Sequence, residues 1–88
     1  MAQFLKSCRE DLPLLQAALA ASDYSCARRV GHQMKGTGNP YGFPGVTVIG
    51  SAIEQAAADG AATELARQIA LLDAYLRVVE ILPEPAAS

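Results

Sequence analysis

Apolar residues recur at intervals of three and four along almost the whole chain, and no stretch alternates with period two for long enough to build a sheet. That spacing restricts the chain to helices, and short turn signals divide it into four. Leu5, Cys8, Leu12, Leu15 and Leu19 form the stripe of a first helix over roughly residues 2–20, in which Pro13 predicts a kink or restart. Ser22 or Asp23 in "ASDYS" can cap a second helix, from about Tyr24 to about Tyr41, with Pro40 and Gly42 marking its end. Pro44 suits the first position of a third helix, which turns Val48, Ile49, Ala52, Ile53 and Ala56 inward and stops at Gly60. The fourth runs from about Ala61 to Ile81 on Leu65, Ile69, Leu72, Leu76 and Val79, and Pro83 closes it, leaving 83–88 as a frayed tail. Helices joined by so few residues fold back on one another, so the expected architecture is an all-α, antiparallel up-down four-helix bundle over residues 2–82.

Eighty-eight residues suffice for one core but not for a deep substrate cavity, which directs attention to the surface. A net charge of −2 gives no reason to expect nucleic acid, and no apolar run approaches the length of a membrane span. The expectation is a soluble, cytoplasmic monomer. Cys8 and Cys26 are then expected as reduced, packed thiols, since no secretory signal accompanies them.

The stretch "RRVGHQMKGTGNPYGF", residues 28–43, holds the only histidine, His32, among the glycines Gly31, Gly36 and Gly38. Each glycine should weaken a helix by ~1 kcal/mol relative to alanine, so something besides helix stability is served. On a wheel of about 100° per residue, Val30, Met34 and Tyr41 cluster within roughly 20° of the side opposite His32, with Ala27 nearby. His32 should therefore be exposed rather than buried in the core.

Its surface neighbours at three and four residues are Arg28, Arg29, Lys35 and Gly36, with Gln33 adjoining and Asn39 nearly eclipsed seven residues on. Three of the seven Lys and Arg residues of an acidic chain thus surround one imidazole. Nearby cations repel metal ions, so a metal site is not expected. No Ser, Cys, Asp or Glu lies within reach along the helix, and a nucleophile pair or a carboxylate partner for the ring would have to come from another helix. The set suits an anion bonded to an exposed neutral ring, above all a phosphoryl group. Gly31 and Gly38, seven residues apart at the edge of the apolar stripe, fit close helix packing. Gly36 lies about 40° from His32 on the exposed face, where its missing side chain leaves room for a macromolecule to approach the ring.

These residues resemble the histidine-containing phosphotransfer (HPt) domain family of two-component phosphorelays. The family pattern, His-x-x-Lys-Gly on a bundle helix with another glycine six residues later, is met by His32, Lys35, Gly36 and Gly42. The Asp23 turn and the "AIEQAAADG" end of the third helix, with Glu54, also stand where such domains have them, and the likeness spans roughly residues 4–80. It implies that His32 accepts a phosphoryl group from a receiver-domain phospho-aspartate or a histidine kinase and passes it to a response-regulator receiver. Lys35 would stabilise the phosphoryl oxygens, Gly36 would admit the partner, and Arg28, Arg29, Gln33 and Asn39 would meet its surface. No cofactor is expected in this chain: the receiver should supply Mg²⁺, since no phosphate-cradling loop or nucleotide fold is legible here. The expected role is a carrier, not a kinase. The competing reading is a helical docking module whose basic face binds an acidic partner with no phosphotransfer.

Overall fold

A computed structural model describes residues 2–40 and 42–81. They form four helices and no strand: α1 (Ala2–Ala20), α2 (Tyr24–Thr37), α3 (Pro44–Ala58) and α4 (Ala62–Ile81). Tyr41, which the apolar pattern places in the core, and the tail at 83–88 lie outside the described residues.

The stops and starts have local causes. α1 runs through Pro13 as one helix, without the restart that the proline suggested, and Pro13 is exposed on its surface. It ends with Ser22 in the left-handed region (φ 55°) and the Asp23 N–H donating to the Ala18 carbonyl at 2.7 Å, which satisfies a carbonyl of the last turn. Asp23 then caps α2, its Oδ1 accepting from the Cys26 N–H at 3.2 Å. Asp23→Ala should therefore lower stability by ~1 kcal/mol in a urea or thermal melt. Gly60 (φ 64°) ends α3 as expected, with the Ala61 N–H on the Ala56 carbonyl at 2.9 Å.

α2 stops at Thr37, earlier than the pattern suggested. Pro40 disfavours a helical Asn39 and has no N–H to continue the ladder. The chain instead turns back through hydrogen bonds between described residues: Gly42 N–H donates to the Asn39 carbonyl at 2.9 Å and Phe43 N–H to the Gly38 carbonyl at 2.8 Å. The Asn39 N–H donates to Thr47 Oγ1 at 2.7 Å. Gly42, at φ 85°, supplies a left-handed residue to this turn.

Each helix packs on two neighbours in the ring α1, α2, α3, α4, and among the described residues the backbones of the diagonal pairs stay apart. The four stripes meet in one core that includes Cys8, Leu15, Ala27, Val30, Met34, Val46, Ile53, Leu65, Leu72 and Leu76. Val48 is the exception to the expected set: it is 68% exposed. The buried line of α3 runs through Val46, Ile49, Gly50, Ile53 and Ala56, and a residue directly before Ile49 is turned about 100° away from it. The two cysteines are free. Burial pushes the Cys8 thiol up to about 11, so it stays protonated at neutral pH and packs as a small apolar side chain.

α2 and α3 approach most closely, because glycines face backbone across their interface. A Cβ on Gly31 would stand 2.7 Å from the Glu54 nitrogen and 2.8 Å from the Gly50 carbonyl oxygen. One on Gly50 would stand 2.7 Å from the Lys35 nitrogen, and one on Gly38 would collide with Thr47. The contacts thus run in opposite order along the two helices. The bundle measures 40 × 20 × 17 Å, too slender to enclose a substrate, so its chemistry has to lie on the surface.

Candidate functional site

The core-facing positions of α2 decide what the helix shows to solvent. With Ala27, Val30, Gly31 and Met34 buried, Arg28, Arg29, His32, Gln33, Lys35 and Gly36 are all exposed on α2. The His32 side chain is 67% exposed. A Cβ on Gly36 would meet nothing within 4 Å, in contrast to Gly31 and Gly38. The three glycines of the motif therefore divide as the wheel suggested, two into packing and one into open space.

The partner that α2 could not supply comes from α3. Contact through Gly31 and Gly50 brings the α3 backbone against α2, and Glu54, one turn beyond Gly50, turns its carboxylate along the exposed rim. Its Oε2 lies 2.9 Å from His32 Nδ1 and its Oε1 lies 3.1 Å from Lys35 Nζ. The hydrogen bond from Lys35, and after it that from His32, holds the Glu54 carboxyl below its usual value of 4.5. A depressed carboxyl stabilises the fold where it is ionised: this contribution is in place above 4.5 and is lost as the pH falls below it.

An ionised carboxylate only accepts, so His32 Nδ1 carries the proton and donates it to Glu54. In the neutral ring the lone pair then resides on Nε2, the nitrogen not bonded to Glu54. That bond sets the ring's tautomer and orientation and leaves its other nitrogen free to bond an incoming group.

An open groove lies beside the ring, lined by Ser25, Arg28, Arg29, His32 and Glu54. It gathers two of the four residues expected to meet a partner. Arg29 bends toward Cys26, its Nη2 lying 4.0 Å from Sγ. Gln33 and Asn39 are exposed, but neither side chain is hydrogen-bonded to the His32, Glu54 and Lys35 group. Asn39 lies past the end of α2, so the wheel argument that aligned it with His32 does not apply to it. Among the described residues, no three His, Cys, Asp or Glu side chains cluster as a metal site would require, and no helix is long and apolar enough to cross a membrane.

The role of Glu54 was the part of the site that sequence reasoning missed. A signal existed: Glu54 is the lone acidic residue of α3, and it stands four residues after a glycine that faces α2.

A family model for the Hpt domain matches residues 1–80 of the 88. No curated protein and no solved structure matches the chain. A match over nine-tenths of the length, on a helical bundle that exposes its only histidine, places the chain in a family of phosphocarrier modules, which have no catalytic activity of their own and serve phosphorelays with receiver domains and histidine kinases. The chain belongs to the Hpt domain family.

Proposed function

We propose that His32 is the phosphoryl carrier of this domain, loaded by a receiver phospho-aspartate or a histidine kinase and discharged to a response-regulator receiver. The observation that carries this reading is the Nδ1 bond to Glu54, which leaves the Nε2 lone pair free on a 67% exposed ring.

In loading from a receiver, the Nε2 lone pair attacks phosphorus, the N–P bond forms, and the P–O bond to the aspartyl group breaks with its electron pair returning to the carboxylate. The ring then holds its Nδ1 proton and gains positive charge, which the Glu54 carboxylate at 2.9 Å offsets. Lys35 gives one of its three N–H donors to Glu54 and keeps the others for phosphoryl oxygens. Gly36 leaves space for the partner's active site to close over the ring, and Gln33 and Asn39 lie on the surrounding rim. The partner supplies Mg²⁺ and its acidic ligands, because transfer depends on positioning and charge neutralisation. The working unit in this reading is a monomeric, antiparallel up-down bundle over residues 2–82, acting in the cytoplasm. A docking module with no phosphotransfer would have no use for a ring whose tautomer is fixed.

Incubation with a panel of phosphorylated receiver domains tests the proposal. Label should pass to the chain, and it should be lost in acid and retained in base, as expected of a phosphoramidate. Acid-stable label would indicate a hydroxyl acceptor and overturn the assignment to histidine.

A further inference from the structure

We propose that the groove beside His32 seats the phosphoryl group itself and that Arg28 is a catalytic residue, its guanidinium closing on phosphoryl oxygens as the N–P bond forms. The inference deepens the phosphocarrier reading and rests on it. It changes Arg28 from a residue that meets the partner's surface into one that touches the transferred group.

The argument begins with how the site's charges are used. Both Glu54 oxygens are engaged, one by His32 and one by Lys35, so this carboxylate is largely neutralised although it lines the groove. Lys35, three residues after His32, has committed one donor to Glu54. Arg29 turns back toward Cys26. Arg28 is exposed, lines the same groove as the ring, and has neither a hydrogen bond nor an ion pair among the described residues.

Geometry then selects Arg28 for the group on Nε2. It stands four residues before His32, the spacing at which side chains meet on a helix surface, on the opposite side of the ring from Lys35. A phosphoryl group has three outer oxygens. A planar guanidinium fork can bind two of them at once, which an ammonium cannot do, and Lys35 can take the third. Because α2 carries both cations and the histidine, this pocket would be present before any partner arrives.

The test uses phosphoramidate as the donor, since it has no protein surface to dock. Attack by Nε2 on its phosphorus breaks the donor's P–N bond and releases ammonia, so the chemistry is followed without a partner. Arg28→Gln should slow phosphorylation roughly tenfold, with the melting temperature unchanged. Arg28→Lys should recover part of the rate, having the charge but not the fork. Arg67→Gln removes the same charge from α4, whose backbone stays apart from α2, and should leave the rate as it is. Wild-type speed for Arg28→Gln with phosphoramidate overturns the proposal, and if the same variant is slow with a phosphorylated receiver, Arg28 is a docking contact only. Equal slowing by Arg67→Gln also overturns it, as an effect of net charge. Failure of the underlying reading looks different: His32→Gln would then still take up phosphate.

Discussion

His32→Gln is expected to abolish phosphate uptake from any donor while leaving the bundle intact. The two halves of that expectation have separate causes. Uptake needs a nitrogen lone pair, and an amide nitrogen gives its lone pair to the carbonyl, so glutamine offers no comparable nucleophile. Stability is a different matter, because the ring is 67% exposed and its one recorded hydrogen bond is with Glu54. A glutamine amide can donate to the same carboxylate, and Lys35 remains to neutralise Glu54 from the other side. The change in unfolding free energy should stay within ~1 kcal/mol, as for exposed substitutions generally. Intact-mass measurement after incubation with a phosphorylated receiver, beside a thermal melt followed by circular dichroism, reads both halves. Label on the glutamine variant would mean that phosphate resides elsewhere on the chain.

Helices and their ends were legible wherever one residue type dictates local geometry. Pro44 opens α3, Gly60 ends it with a left-handed turn, and Asp23 caps α2, each through an interaction that spans only a few residues. Errors arose where tertiary contact decides. α2 stops at Thr37 because the backbone after it is drawn into a turn against Thr47, a residue ten positions further on. Val48 is expected on the inward line of the third helix with Ile49, Ala52, Ile53 and Ala56, yet α3 meets its neighbours through Val46, Ile49, Gly50 and Ile53, and the helix turns Val48 outward.

The candidate site divides along the same line. His32, Lys35 and Gly36 belong to a single helix, so one wheel placed them. Glu54 is 22 residues from His32, and its part depends on how closely α2 and α3 approach, which Gly31 and Gly50 determine together. Gly50 has no motif of its own. Its function is visible only once the Lys35 nitrogen is seen where its side chain would have been.

Replacing the glycines one at a time separates clearance from packing. Gly36→Ala adds a methyl that meets nothing in the domain, so the helix should gain up to ~1 kcal/mol of stability from the better helix former. The same methyl stands about 40° around the helix from His32, in the space that a receiver must occupy to bring its aspartate in line with Nε2. Misplacement near 1 Å can cost on the order of a hundredfold in rate, so transfer should fall by about that factor while stability rises. Gly31→Ala should move both quantities downward. Its methyl would lie 2.7 Å from the Glu54 nitrogen and 2.8 Å from the Gly50 oxygen, both backbone atoms that can yield only if α3 moves away. Overpacking of this kind costs roughly 1–3 kcal/mol, and the displaced helix carries Glu54 away from the ring it holds, which slows transfer as well. Gly38→Ala collides with Thr47 and should lose stability for the same reason. Melting temperatures and single-turnover transfer rates from one phosphorylated receiver, taken for all three variants, distinguish the cases. Wild-type transfer by Gly36→Ala would refute the clearance argument, because open space beside the ring would then have no bearing on the partner's approach.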